Sequence, residues 1–209
     1  MHDQRTEGWH SDRLGKVTAS CLHKVMARTK SGPGADRANY LAQLVTERLT
    51  GQPTETFTNA AMAWGVETED RARAAYEFKH GAAVIETGFH DHPAIPLSGA
   101  SPDGLVGDDG LIEIKCPNTA THITTLRGGP MDRKYLYQVQ WQIACTGRAW
   151  CDFASFDPRL PLPMQLHVDR IERDDVLIAE LEAEVTTFLA EVAATVADLE
   201  ARYLVREAA

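Results

Sequence analysis

The chain has 209 residues, of which 44% are hydrophobic and 24% charged, and it carries a formal net charge of −9. This length fits one globular domain with a sizeable core, so we predict a single domain over residues 1–209. The acidic balance argues against a protein that coats nucleic acid, although it allows an enzyme that holds DNA in a local basic channel.

The first part of the chain is predicted to be helical, with one basic loop. Apolar spacing and closing glycines predict helices over three segments: 20–26, 39–49 and 60–80. Ser20 is a plausible N-cap of the first helix. A cationic loop with Gly and Pro, 28–37, follows that helix. Its basic residues Arg28, Lys30 and Arg37 either contact a DNA backbone or are simply solvated.

The rest of the chain alternates strands and helices. Residues 82–115 are predicted as β structure that ends in a hairpin, followed by helix 135–147 and strand 149–156. A C-terminal helical segment, 172–206, is predicted from an apolar stripe: Leu177, Leu181, Val185, Phe188, Val192, Leu199 and Tyr203. This order indicates an α/β fold in which helices flank a small mixed sheet.

The hairpin carries an unusual set of charges. Asp103, Glu113 and Lys115 follow a D-x9-E-x-K spacing, with a Gly-Asp-Asp-Gly turn at 107–110. Residues two apart on a strand point the same way, so Glu113 and Lys115 share a face and Asp103 can fold back toward them. Such a cluster is costly unless it binds a hard divalent cation or an anionic substrate, as in a metal-dependent phosphodiesterase. The alternative is a surface hairpin with a solvated Glu–Lys pair.

Cysteine use and hydropathy bear on cellular location. The four cysteines contain no C-x-x-C pair: Cys21, Cys116, Cys145 and Cys151. We expect reduced thiols, with an iron–sulfur cluster as the alternative. The N-terminus is polar, and no apolar run approaches the roughly 20 residues of a membrane span. We therefore expect a cytoplasmic protein that makes no membrane contact.

Six segments in series place the hairpin motif in a longer pattern. In chain order they are Arg13 with Thr18-Ala19-Ser20, Gly65 with Glu69, Ala72 and Tyr76, Ser101-Pro102-Asp103-Gly104, Glu113-Ile114-Lys115, Tyr135 with Gln138-Val139-Gln140, and Phe156-Asp157-Pro158-Arg159. In this order they resemble the phage lambda exonuclease family, also called YqaJ-type viral recombinases or alkaline exonucleases, within the PD-(D/E)-x-K superfamily. The resemblance covers a core of residues 8–160.

The resemblance implies a PD-(D/E)-x-K core and a magnesium-dependent 5′-to-3′ exonuclease. Such an enzyme degrades one strand of double-stranded DNA from a 5′-phosphorylated end and leaves 3′ overhangs for recombination by strand annealing. The resemblance further implies two magnesium ions per site, with manganese as a substitute, a homotrimer ring and a single-strand annealing protein as partner. The alternatives are an endonuclease or a 3′-directed enzyme with the same core, or a non-catalytic DNA-binding protein.

The resemblance also assigns roles at the metal site. Asp103, Glu113 and the main-chain carbonyl of Ile114 would bind the metal, because hard cations prefer oxygen ligands. Lys115 would position the attacking water and stabilise charge on the phosphoryl oxygens. Glu69, on the same helical face as the small Ala72, would face the metal site and hold a water.

Further positions match the substrate-contacting residues of the family. Gln138 would contact the water or the scissile phosphate, whereas Gln140 is expected to be structural. Arg13, Ser20 and Ser101 match the positions that bind the terminal 5′-phosphate. Arginine offers a planar fork of donors to phosphate oxygens, and a helix N-terminus at Ser20 would add backbone donors.

Overall fold

The computed structural model describes residues 2–30, 32–54 and 60–204. Helices lie at α1 (Glu7–Arg13), α2 (Leu22–Val25), α3 (Ala35–Thr50), α4 (Ala60–His80), α5 (Thr119–Leu126), α6 (Arg133–Thr146) and α7 (Asp175–Tyr203). Strands lie at β1 (Val17–Thr18), β2 (Arg28–Thr29), β3 (Gly32–Pro33), β4 (Val84–Ile85), β5 (His90–Asp91), β6 (Ser98–Ala100), β7 (Gly104–Val106), β8 (Gly110–Lys115), β9 (Trp150–Phe156) and β10 (Leu166–Glu172). Within the described ranges, no helix is long and apolar enough to cross a bilayer.

A five-stranded mixed sheet carries the charged hairpin. Its strand order is β10-β9-β8-β7-β4, with β8 and β9 parallel and the other neighbours antiparallel. The predicted α/β class is therefore confirmed. Side chains of β8 alternate between two helices, because Ile112 and Ile114 join an apolar cluster with α4 whereas Leu111 joins one with α6. Glu113, one residue from each isoleucine, thus faces α6.

The C-terminal helix packs on a second apolar layer formed with α2, α3 and α6. Phe188 is fully buried and stacks on Tyr40 of α3, with ring centroids 5.6 Å apart. The predicted stripe is buried from Leu181 to Val192 and half-buried at Leu177 and Leu199. Tyr203 is 71% exposed, contrary to the prediction, because it lies in the last turn beyond the packed residues. Residues 205–206 of the predicted segment lie outside the described residues.

The basic segment 28–37 is held against α7. Strands β2 and β3 pair antiparallel there, and α3 begins earlier than predicted. Arg37 is 8% exposed and donates to both carboxylate oxygens of Glu191, at 2.5 and 2.9 Å. Arg28 pairs with Glu184, which lies about two turns before Glu191 on α7. The expectation of a solvated or DNA-contacting side chain is therefore wrong for Arg37.

Several elements were not predicted, among them α1, α5, β10 and the two-residue strands β1, β2 and β3. The charged residues of β10 interrupt its apolar alternation, so the strand gives a weak sequence signal. Ser20 is not an N-cap, because it lies in a 3-10 turn (Ala19–Cys21) that precedes α2. The N-cap of α2 is Cys21, which makes no side-chain capping bond. Just before the 3-10 turn, the Thr18 N–H donates to the Tyr40 hydroxyl at 3.2 Å.

A buried carboxylate fixes the chain where β9 ends. Asp157 is fully buried and its Oδ1 accepts hydrogen bonds from the Arg159 N–H at 3.0 Å and from Nε at 2.7 Å. Its Oδ2 accepts from Arg159 Nη2 at 3.0 Å. Burial raises the pKa of Asp157, but the hydrogen bonds from Arg159 and Thr119 outweigh it and lower the pKa to about 2.

We expect Asp157→Asn to lower the free energy of unfolding by about 2 kcal/mol at pH 7. Because the folded pKa lies below the unfolded one, this contribution is complete above about pH 5 and is lost as the pH falls through about 2. The difference between the two proteins should therefore shrink to about half near pH 3. Urea denaturation at both pH values measures it, and an equal difference at pH 7 and pH 3 would contradict the assignment.

Candidate active site

The hairpin brings three charged side chains together. Asp103 lies directly before β7, and its Oδ2 accepts a hydrogen bond from the Ile114 N–H at 2.7 Å. Lys115 Nζ lies 2.5 Å from Glu113 Oε1. Glu113 is only 2% exposed, so the alternative of a solvated surface pair is wrong. The predicted convergence on one end of the hairpin is present.

The cluster holds two carboxylates, Asp103 and Glu113, and one ammonium group, Lys115. Burial raises the pKa of Asp103 well above its usual range, and the neighbouring Glu113 raises it further. Lys115 and the Ile114 N–H offset only part of this rise. Burial lowers the pKa of Lys115, but the two carboxylates outweigh burial and raise it, so this side chain stays protonated. A site with this balance favours a bound cation.

Helix α6 presents two glutamines to Glu113. Gln138 Nε2 donates to Glu113 Oε1 and Gln142 Nε2 donates to Oε2, each at 2.6 Å. Gln140 lies elsewhere, since its Nε2 donates to the Glu172 carbonyl at 2.8 Å and its Oε1 accepts from the N-cap residue of α7 at 2.9 Å. The structure thus places Gln138 beside the cluster, and it places Gln140 at the junction of β10 and α7.

Gln142 was missed by sequence reasoning. It follows Gln138 by four residues, so helical spacing puts both on one face, and this signal could have found it. The residue is fully buried, and its Oε1 has no hydrogen-bond partner among the described residues. Glu113 therefore accepts hydrogen bonds from three side chains, two of them neutral amides.

Glu69 borders the cluster from α4. Two arginines contact its carboxylate: Arg5, from the segment before α1, and Arg73, whose Nη2 lies 3.3 Å from Oε1. Burial raises the pKa of Glu69 despite the two arginines, and Glu113 is close enough to contribute to the rise. Ala72, one turn further on, is fully buried against the sheet, as its size predicted. The contact with Arg5 was not predicted.

A second polar group is centred on Ser101, two residues before Asp103. Ser101 Oγ accepts hydrogen bonds from Trp9 Nε1 at 2.9 Å and from Arg13 Nη1 at 3.2 Å, so its own proton is left to donate. The Arg13 guanidinium lies 4.1 Å above the Trp9 ring. Burial lowers the pKa of Arg13, and no carboxylate of the described residues lies within ion-pair distance of it. The pair Arg13 and Ser101 is thus a half-buried group of donors without an anion.

Ser20 is not joined to this pair. Ser20 is exposed and its hydroxyl lies 3.4 Å from the Thr18 hydroxyl, and within the described chain it forms no hydrogen bond with Arg13 or Ser101. No α-helix begins at Ser20, because this residue lies inside the 3-10 turn. The prediction of backbone donors from a helix N-terminus at Ser20 is therefore wrong. Ser20 is nevertheless accessible to a ligand.

The oxygen donors present suit a magnesium-like ion. Asp103 and Glu113 supply two carboxylates, and since the N–H and C=O of a strand residue point to the same side, the Ile114 carbonyl faces Asp103. No group of three or more His, Cys, Asp or Glu in the described ranges could hold a metal by itself. A partial set of hard donors that leaves positions for water is what magnesium prefers.

The cysteines do not form a metal site. They are free thiols distributed over three apolar clusters. The iron–sulfur alternative is therefore wrong. Burial, with the nearby carboxylates Glu69 and Asp103, raises the pKa of Cys116 to about 12, so this thiol beside Lys115 stays protonated.

A mixed sheet flanked by helices, with two carboxylates and a lysine on one hairpin, defines the core of the PD-(D/E)-x-K nucleases. Residues 8–149 match the YqaJ-like viral recombinase domain. The chain therefore belongs to the family of YqaJ-like viral recombinases, of the lambda exonuclease type.

Solved structures agree with this assignment. An alkaline exonuclease (LHK-Exo) from Laribacter hongkongensis is 54% identical, with a TM-score of 0.88, and the match covers 94% of this chain and 97% of that one. The same exonuclease in complex with dAMP matches at 55% identity with the same coverage and TM-score. A phage-related exonuclease from Haemophilus somnus shares the fold, at 16% identity and a TM-score of 0.69, over 88% of this chain and 96% of that one. Among curated proteins, none matches.

Proposed function

We propose that this chain is a DNA exonuclease, a metal-dependent phosphodiester hydrolase that removes nucleotides from the 5′-phosphorylated end of one strand of duplex DNA. One observation carries the proposal: Asp103, Glu113 and Lys115 converge on a hairpin, with two carboxylates beside one ammonium group. The alkaline exonuclease with 54% identity over nearly the whole chain supports this activity.

The donor set indicates which residues would hold the metal. Asp103, Glu113 and the Ile114 carbonyl would bind magnesium, with manganese as a substitute, and Asp103 would be shared if two ions bind. The chemistry that such ions supply is activation of a water and polarisation of the phosphoryl oxygens. The raised pKa of Asp103 supports this role, because a cation would relieve the repulsion that Glu113 exerts.

The protein's own side chains position the reactants. Lys115, which the carboxylates keep protonated, would donate to the phosphoryl oxygens on which charge builds. Gln138 donates its amide N–H to Glu113, so its Oε1 would accept a hydrogen bond from the attacking water. Glu69, at the border of the cluster, would hold a further water of the site.

The donors before Asp103 would select the DNA end. Arg13 lacks a carboxylate partner and Ser101 has a proton to donate, so a terminal phosphate would accept hydrogen bonds from both. Ser20 would add a hydroxyl once the phosphate is bound. A pocket for a terminal 5′-phosphate next to the hydrolytic cluster would impose 5′-to-3′ polarity and leave 3′ single-stranded overhangs.

Membership of the viral recombinase family supports the wider role. The overhangs would serve homologous recombination by strand annealing, with a single-strand annealing protein as partner. A homotrimer ring around the DNA would keep the duplex in the site. We place this activity in the cytoplasm.

A linear duplex with a 5′-phosphate on one end only tests reaction and polarity together. We expect magnesium-dependent loss of the phosphorylated strand from its 5′ end, and no loss in EDTA. Arg13→Gln should reduce the preference for the phosphorylated end, measured as a ratio of kcat/KM values. The reduction should be about 10- to 100-fold, which corresponds to charge-assisted hydrogen bonds of about 1.5–3 kcal/mol.

Arg202→Ala is the matched control, since it removes one positive charge from the last turn of α7, where Arg202 pairs with Asp198. The end preference of this variant should be unchanged. Internal cuts or loss from 3′ ends would overturn the proposed polarity. DNA binding without cleavage of any duplex would indicate a non-catalytic DNA-binding protein.

A further inference from the structure

Hydrogen bonds hold the residues before α1 next to the candidate active site. This N-terminal arm, residues 2–6, lies outside the segment 8–149 that matches the family. Gln4 Nε2 donates to two backbone carbonyls, that of Thr87 at 3.0 Å and that of Pro102 at 2.8 Å. Pro102 immediately precedes Asp103, so the arm is anchored one residue from the proposed metal ligand.

The next residue of the arm has an unfavourable backbone conformation. Arg5 has φ +66°, a left-handed conformation in which an L-residue is disfavoured and glycine is not. Only Leu97 shares this property among the other non-glycine residues that the structure describes. Such strain persists where surrounding contacts enforce it, and it is common at functional sites. Here the hydrogen bonds of Gln4 lie on one side of Arg5 along the chain, and the Arg5 side chain contacts Glu69.

The two arginines at Glu69 are not equivalent. Arg73 is 13% exposed and also pairs with Glu86 and, at 3.7 Å, with Asp70. Arg5 is 45% exposed and contacts Glu69 alone among the described carboxylates. If Arg5 moved away, Glu69 would keep Arg73 as a partner, so the exchange would not leave a partly buried carboxylate unpaired. Arg5 is therefore the exchangeable cation of the pair.

We infer that Arg5 is a substrate-binding residue, whose guanidinium leaves Glu69 and binds a backbone phosphate of the DNA strand that enters the site. The inference rests on the proposed function and adds a phosphate contact beyond the terminal pocket. Arg5 contacts Glu69 through Nη2 alone, whereas a phosphate offers two oxygens that a planar, exposed guanidinium binds in bidentate geometry. The acidic cluster beside it would otherwise repel the strand, and a cation at this point offsets that repulsion.

Salt dependence of DNA binding distinguishes a phosphate contact from a structural role. Affinity for a 5′-phosphorylated duplex is measured by fluorescence anisotropy at several salt concentrations, with calcium in place of magnesium to prevent cleavage. Arg5→Gly removes the cation and relieves the backbone strain, so the melting temperature should not fall. We expect about tenfold weaker binding, and a slope of log K against log salt reduced by about 0.9, the value for one phosphate contact.

Two further variants make the outcome decisive. Arg5→Lys, which keeps the charge, should retain the slope, and Arg202→Ala, which removes a distant charge, should retain both slope and affinity. An unchanged slope in Arg5→Gly would overturn the inference, as would a lower melting temperature with unchanged binding, which would mark Arg5 as a structural clamp. Absence of DNA binding by the unmodified protein would instead overturn the proposed function itself.

Discussion

Replacing Asp103 with asparagine should reduce cleavage about a thousandfold while DNA remains bound, a loss of about 4 kcal/mol of transition-state stabilisation. Asparagine keeps an oxygen that accepts the Ile114 N–H, so the hairpin should fold normally. It removes the negative charge that, with Glu113, would hold the cation. The DNA contacts proposed for Arg13 and Ser101 lie outside this change. Initial rates on a 5′-phosphorylated duplex in magnesium, with binding measured by anisotropy, check the two expectations.

Asp108→Asn is the matched control for this experiment. Asp108 is exposed in the turn between β7 and β8, so the same change of charge occurs on the same hairpin without reaching the cluster. Its cleavage rate should equal that of the unmodified protein. Full activity in Asp103→Asn would exclude the proposed mechanism, whatever the control shows.

The charged hairpin could be predicted from sequence because its determinants are local. The turn at 107–110 joins two short strands, and the two-residue period of β8 fixes the common face of Glu113 and Lys115. The long helices were predicted for the same reason, since glycines with positive φ end α3 and α6 at Gly51 and Gly147. Where the next few residues determine a structure, a single sequence contains the necessary information.

The remaining features depend on contacts between distant segments. Arg37 belongs to a basic run that indicates a solvated loop, but its partner Glu191 lies 154 residues away and buries it. The contact of Arg5 with Glu69 spans 64 residues. Neither pairing leaves a periodic signal, so sequence patterns predict the charges and cannot predict their partners. Gln142 could be predicted in part. Its helical spacing from Gln138 is a local signal, but its partner Glu113 lies on another element.

Gln142→Leu should reduce the affinity for manganese and the cleavage rate by about 10- to 100-fold each, the usual effect of losing a residue that orients a metal ligand. Gln142 Nε2 fixes Glu113 Oε2 at 2.6 Å, and without that donor the buried carboxylate loses one of the hydrogen bonds that set its orientation. The substitution also removes the unpartnered Oε1, whose burial is unfavourable, so the melting temperature should change little. Calorimetric titration with manganese measures the affinity independently of cleavage.

Gln140→Leu is the matched control, because Gln140 is equally buried on the same helix but bonds only to the backbone at residues 172 and 174. It should lower the melting temperature, since it removes two partly buried hydrogen bonds to the backbone, and it should preserve manganese affinity. The opposite pattern would reverse the assignment. If Gln142→Leu lowered stability and left manganese affinity intact, Gln142 would be a packing residue, and the orientation of Glu113 would depend on Lys115 and Gln138 alone.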